Sequence, residues 1–305
     1  MKDSKRLSGV LSPVVTPFDE DLSPDADRLI AQCKWLLSQN VGLAVFGTNS
    51  EANSLSVDEK VELLVSLVEA GVDPKRMMPG TGCCALTDTV RLTAHAAKLG
   101  CAGTLMLPPF YYKGVSDDGI YANFAEVIER VDNEDLKIYL YHIPPVAQVG
   151  FSVDLVERLV TDFPGIVVGI KDSSGDWDNT RAMLERKWDD FRVFVGSESF
   201  LLANMRNGGA GCISATANIN PAAIDHLYQN WEDDDAATAQ EALDDIRNTV
   251  MAYPMIPALK ATVAEFSGDD AWRTVRPPLL GLARDKSAAL AATLRGKGFA
   301  MPGLS

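Results

Sequence analysis

Val167-Val168-Gly169-Ile170-Lys171-Asp172-Ser173-Ser174 is the stretch on which the fold turns. A short apolar run leads straight into a lysine, and a turn-forming polar cluster follows. Runs of this length read as strands buried on both faces. A lysine is almost never fully buried without a reason. Lys171 has two readings. It can be a strand-end lysine whose stem is covered while its head reaches solvent. Or it can be chemical: a desolvated ammonium gives up its proton more easily, and the free amine can attack a carbonyl to form a Schiff base. The stretch by itself favours the first reading, so the rest of the chain has to decide.

Working outward, strand-like segments cover residues 10–16, 41–46, 76–80, 103–107, 137–142, 166–171, 191–195 and 211–214, eight in all. Helical patterns fall between them at 25–39, 57–70, 88–99, 117–130, 153–161, 179–188 and 198–207. Ser23-Pro24 and Ser56-Val57-Asp58-Glu59 are helix-start signals. Gly71, Gly100 and Gly208-Gly209 sit where helices stop. Eight unbroken β/α units predict an α/β fold, a (β/α)8 TIM barrel, over an open doubly wound sheet. No Gly-x-Gly-x-x-Gly follows the first strand, which removes the main cue for a dinucleotide-binding domain. Past residue 220 the strands stop, and 221–231, 236–253, 256–266 and 286–295 read as helices. The expected division is a catalytic barrel over 1–220 and a helical extension over 221–305 packed on it. The acidic run at 232–235 reads as a solvated linker.

Composition fits that picture: 305 residues, 47% hydrophobic and 23% charged, are ordinary for a globular chain with a sizeable core. A net charge of -14 disfavours nucleic acid as a partner, which needs a basic footprint. No apolar run approaches a membrane span, and the charged N-terminus lacks the apolar core of a secretory signal. The five cysteines, Cys33, Cys83, Cys84, Cys101 and Cys212, are odd in number and two are adjacent. A reducing cytoplasm is the simplest reading. No CxxC or paired histidine supports a metal, and His95, His142 and His226 lie on unrelated segments without ligand spacing.

Barrel active sites form at the C-terminal ends of the strands, so those ends carry the candidates. Gly47-Thr48-Asn49-Ser50-Glu51 can hold a carboxylate or phosphate through backbone amides and hydroxyls. Pro108-Pro109-Phe110-Tyr111-Tyr112 places tyrosines at a loop tip, where they serve a site or a subunit interface. Tyr139-Leu140-Tyr141-His142 alternates, with both tyrosines on one face and His142 on the other. Tyr141, if it points into the barrel, is one strand from Lys171, and a phenol there can shuttle protons. His142 reads as hydrogen-bonded structure. Gly196-Ser197-Glu198-Ser199 and Cys212-Ile213-Ser214-Ala215-Thr216 end the last two strands and can contact a hydroxylated substrate. Lys260, on a predicted helix of the extension, reads as structural.

Taken in order, these pieces resemble the dihydrodipicolinate synthase / N-acetylneuraminate lyase family of class I aldolases and lyases. The resemblance runs from about Gly9 to about Arg276. It rests on Pro13-Val14-Val15-Thr16-Pro17-Phe18, Gly47–Glu51, Pro109-Phe110-Tyr111-Tyr112, Tyr141-x-x-Pro144, Gly169-Ile170-Lys171-Asp172 and Gly208-Gly209-Ala210-Gly211-Cys212-Ile213-Ser214. It implies that Lys171 forms a Schiff base with pyruvate or another 2-oxo acid, with no separate cofactor. Tyr141 would be the proton-shuttling phenol and Thr48 its link to a second tyrosine. Tyr111 matches that tyrosine, which in the family reaches in from a neighbouring subunit of a homotetramer. Asn49, Ser50, Gly196, Glu198, Ile213 and Ser214 become the expected substrate contacts.

Three departures bear on substrate. Asn49 and Ser50 replace the family's commonest hydroxyl and glycine, and Ser50 brings a Cβ that restricts the turn. No arginine follows Tyr141-x-x-Pro144, which counts against 4-hydroxy-tetrahydrodipicolinate synthase. Glu198-Ser199 keeps one acid of the pair that sialic acid lyases favour. The expectation is a lyase, aldolase or dehydratase, for a 2-keto-3-deoxy sugar acid or related 2-oxo acid. A non-catalytic 2-oxo acid sensor is the reading from another class.

Overall fold

In the computed structural model, which describes residues 6–304, short parallel strands alternate with helices that return the chain along the outside. β1 (Gly9–Ser12) pairs with β2 (Gly42–Leu43) on one side and β7 (Gly211–Ile213) on the other. From β7 the sheet runs through β6 (Arg192–Val195), β5 (Val167–Asp172) and β4 (Ile138–His142) to β3 (Thr104–Met106), parallel throughout.

Residues 76–80, expected as a strand, do not form a regular one. Met77 bridges Leu43 and Gly80 bridges Leu105, both in parallel sense. Met78 N donates to Leu43 O at 2.8 Å, and Leu105 N donates to Pro79 O at 2.9 Å. Pro79 has no N–H to continue the ladder, which is why the pairing stays broken. The segment still occupies the place between β2 and β3 and closes the ring, so the (β/α)8 barrel stands with one irregular stave.

Leu11, Met78, Leu105, Tyr139, Tyr141, Val168, Phe194 and Ile213 fill the barrel interior as one buried cluster. The Tyr139 ring explains a glycine in the deciding stretch. A Cβ at Gly169 would lie 2.5 Å from Tyr139 Cδ1, and one at Gly103 2.6 Å from Tyr139 Cε2. The ring occupies the space that side chains would take on both neighbouring staves.

The outer helices begin where capping side chains say they should. α1 (Ala26–Ser38) starts at Asp25, and α2 (Val57–Glu69) at a Ser56/Glu59 capping box. α3 (Leu86–Lys98) and α4 (Asp117–Val131) follow. A four-residue helix, α5 (Pro144–Ala147), follows β4, its two prolines at the first helical positions, where no N–H is needed. α6 (Val153–Asp162) and α7 (Trp177–Glu185) complete the next two units. The helix expected over 198–207 splits into a 3-10 turn, Glu198–Phe200, and α8 (Leu201–Arg206).

α9 (Pro221–Gln229) packs on β1, with the Tyr228 ring 3.6 Å from where a Gly9 Cβ would stand. This helix follows the boundary expected at residue 220 and lies against the first strand of the barrel. Beyond it come α10 (Ala236–Met251), α11 (Met255–Ser267) and α12 (Arg284–Gly296). α10 lies against the Glu198–Phe200 turn and α11 against the Thr48–Ser50 turn, so these two helices roof the C-terminal ends of the strands. Among the described residues, no helix is long and apolar enough to cross a membrane.

Candidate active site

Tyr141 and Lys171 are register partners on β4 and β5. Both are buried, at 3% and 2% exposure, and Lys171 Nζ stands 4.3 Å from the centroid of the Tyr141 ring. Among the described residues, Lys171 has no carboxylate or hydrogen-bond partner. The Tyr141 hydroxyl is 3.1 Å from Thr48 Oγ1. The three residues expected to work together from one chain are therefore brought together. A cavity of about 260 Å³ is lined by Thr48, Asn49, Tyr141, Asp172, Gly196 and Arg247 among others, with Lys171 next to Asp172 on β5 but outside that lining. Asp172 is fixed in that lining by Ser174 N (2.9 Å), Asn179 Nδ2 (2.9 Å) and Thr180 Oγ1 (2.7 Å), which all donate to its carboxylate.

Lys260 shows what a structural buried lysine looks like. Its Nζ is 2.8 Å from Glu51 Oε1, with both side chains wholly inaccessible. Burial pulls its pKa down to about 8, with Glu51 opposing the shift. Glu51 also accepts from Arg276 N at 3.0 Å, so the turn that carries Thr48 is tied to the extension.

Several expected contacts sit elsewhere. Ser50 is fully buried and does not line the cavity; its hydroxyl accepts from Gly47 N at 3.1 Å, and Thr16 donates to its carbonyl. Its Cβ causes no backbone conflict, because the left-handed residues are Phe46 (φ 61) and Glu51 (φ 55), on either side of the turn. Glu198 is 1% exposed and stands behind the cavity wall. It accepts from the hydroxyls of Ser214 and Thr216, and from Arg247 Nη1 at 2.7 Å. Ser214 thus holds Glu198 and does not face the cavity. Ile213 belongs to the barrel interior cluster. Gly196 does line the cavity, and a Cβ there would meet Ser173 Oγ at 2.0 Å.

His142 points to the opposite face from Tyr141, and its Nδ1 accepts from Phe151 N at 2.9 Å. Burial lowers its pKa, which keeps it a neutral acceptor. Tyr111 is 75% exposed, edge-on to Tyr112 at 5.4 Å, and does not join Tyr141 within one chain.

Arg247 is the site residue the sequence reading missed. It reaches the cavity from α10, outside the strand ends. A signal was present: Leu243, Arg247 and Val250 share one helix face, and Leu243 and Val250 are buried. A charge interrupting an apolar stripe has a partner or a task. A larger cavity, about 740 Å³ around Arg6, Val167 and Arg192, opens at the opposite ends of the strands. Conservative barrel chemistry does not use that end.

The fold is a closed eight-stave (β/α)8 barrel that sets a buried lysine without a carboxylate partner beside a phenol at the C-terminal ends of its strands. The chain belongs to the Dihydrodipicolinate synthetase family, whose model matches residues 6–297. It is 33% identical, over 93% of its length and 95% of the relative's, to an uncharacterized DapA-like lyase of Chloroflexus aurantiacus. The crystal structure of dihydrodipicolinate synthase from Agrobacterium tumefaciens superposes with a TM-score of 0.87 at 32% identity, covering 94% of this chain and 98% of that one. The E. coli family protein YagE, crystallised in complex with pyruvate, gives 0.85 at 25% identity, covering 96% and 99%.

Proposed function

We propose that this lyase of the family works through a Schiff base at Lys171, acting on a 2-oxo acid such as a 2-keto-3-deoxy sugar acid. The observation that carries the reading is the buried Lys171 Nζ, without a carboxylate partner, 4.3 Å from the Tyr141 ring. Nζ attacks C2 of the 2-oxo acid, and the carbonyl oxygen leaves as water once it has taken two protons. Tyr141, hydrogen-bonded to Thr48, passes those protons. The resulting imine draws electrons from the C3–C4 bond, or from C3–H with departure of a 4-hydroxyl. The first route is aldol cleavage and the second dehydration.

Backbone amides near Thr48 and Asn49 would hold the 2-oxo acid carboxylate. Tyr111, exposed in one chain, would complete the site of a neighbouring subunit in a homotetramer. Five unpaired cysteines support a reducing, cytoplasmic setting. YagE's complex with pyruvate supports pyruvate as the 2-oxo acid or as the released product.

Borohydride added with pyruvate should fix an adduct on the peptide that contains Lys171. No adduct with pyruvate or any longer 2-oxo acid would sink the proposal. A second reading is condensation of pyruvate with aspartate semialdehyde, the 4-hydroxy-tetrahydrodipicolinate synthase reaction. Arg247 favours it by supplying a cavity cation that the segment after Tyr141 lacks. A coupled assay with that aldehyde separates the two.

A further inference from the structure

Ser214, Thr216 and Arg247 converge on the carboxylate of Glu198, and of these only Arg247 lines the cavity. Both bonds that Arg247 makes leave from Nη1: to Glu198 Oε2 at 2.7 Å and to Ser214 Oγ at 3.1 Å. Its Nε and Nη2 have no partner among the described residues. A guanidinium donates in a planar fork, and its Nε–Nη2 edge matches the two oxygens of a carboxylate. Glu198 therefore fixes one corner of the fork and leaves a bidentate edge over.

The mounting is rigid. The Arg247 side chain is 13% exposed and that of Glu198 2%. Gln240, two helical turns earlier on α10, donates through Nε2 to Glu198 O at 3.0 Å and accepts from Leu202 N at 3.1 Å. Residues seven apart share a helix face, so α10 is pinned to the Glu198 turn at two points. A long side chain fixed this way has already lost the rotamer freedom that ligand binding would otherwise remove. Because Glu198 balances its charge, Arg247 selects a ligand by fork geometry more than by attraction at a distance.

We infer that Arg247 is a specificity-determining residue that binds a second carboxylate, remote from the 2-oxo acid group, so that the substrate is a 2-oxo acid with an anionic far end. This rests on the Lys171 reading only in assigning which end of the substrate is the far one.

Matched probes test it: 2-oxoglutarate, and 2-oxopentanoate of the same chain length without the second carboxylate. Calorimetry on the full chain reads both equilibria with no covalent step required. The wild type should bind 2-oxoglutarate at least about tenfold tighter, as expected for hydrogen bonds to a charged group. The ratio should fall to near one in Arg247→Met and only partly in Arg247→Lys, which keeps a cation but not the fork. Arg247→Met leaves Glu198 buried and unpaired, so the double variant Glu198→Gln/Arg247→Met provides a folded control in which the ratio should also be near one. A wild-type ratio near one, or a preference that survives in either Met variant, overturns the inference. Borohydride trapping with pyruvate is run in parallel on the wild type. Preference without an adduct upholds Arg247 and overturns Lys171; an adduct without preference does the reverse.

Discussion

Lys171 Nζ lies 4.3 Å from the centre of the Tyr141 ring, one register step across two adjacent parallel strands. The other fully buried lysine, Lys260, has its charge met by Glu51 at 2.8 Å. A buried lysine that meets a carboxylate serves the fold, whereas one without such a partner is available for chemistry.

That contrast predicts opposite phenotypes. Lys171→Ala should abolish the borohydride adduct while the urea midpoint stays close to that of the wild type. Lys260→Met strands Glu51 as a buried charge and should cost about 3–5 kcal/mol of stability. Folded Lys260→Met, kept below its lowered midpoint, should still form the adduct on Lys171. Loss of the adduct in that folded variant would assign Lys260 a chemical role.

Tyr141→Phe keeps the ring over Lys171 and removes the hydroxyl that meets Thr48. The rate of imine formation, followed by rapid-quench borohydride trapping, should fall about 10²-fold or more. Thr48→Val should slow it less, since the phenol remains. A Tyr141→Phe rate equal to wild type would remove the phenol from the mechanism.

Tyr111, exposed on one chain, is predicted to act in the site of its neighbour. Tyr111→Phe and Lys171→Ala chains should each be poorly active alone. Mixed after denaturation and refolding together, they should regain activity, because some sites then combine an intact lysine with an intact tyrosine. Two inactive chains that stay inactive when mixed would count against a shared site.

Gly169→Ala tests why the deciding stretch contains a glycine. The new methyl would press on the Tyr139 ring and on Arg192 O, each 2.5 Å from its position. Overpacking of this kind costs about 1–3 kcal/mol. The urea midpoint should drop with an unchanged m-value; a neutral result would mean that the barrel floor can shift.

The tie between barrel and extension is pH-dependent at Glu59. Its hydrogen bonds from Arg276 hold its pKa at about 2, below its ordinary 4.5. The folded pKa is depressed, so the stabilisation is full above about 4.5 and is lost as pH falls toward 2. With a quarter of the Glu59 side chain open to solvent, the loss is on the order of 2 kcal/mol. Urea titrations at pH 5 and pH 2.5 should show a larger stability drop in the wild type than in Glu59→Gln.

The barrel and the placing of Tyr141 and Lys171 at strand ends were legible because their signals are local. Alternation over two residues put Tyr141 and Lys171 at the ends of strands that turn out to be neighbours, and the strand-end rule made them candidates. The segment at 76–80 read as a strand by its apolar content, and Pro79 broke its ladder without removing it from the ring. Loop residues were less legible. Ser50 and Glu198 have polar groups suited to a substrate, but hydrogen bonds inside the wall consumed them.

The amino-acid sequence by itself determined the eight-unit barrel and the placing of Tyr141 and Lys171 at strand ends, since strand and helix periods repeat every two and 3.6 residues and need no distant partner. Tertiary structure alone decided that Glu51 meets Lys260 across 209 positions, and that Arg247, 49 positions from Glu198, turns one edge of its fork free. Those pairings depend on how α10 and α11 pack over the barrel mouth. That packing is a sum over many weak contacts spread along the chain, and no local period encodes it.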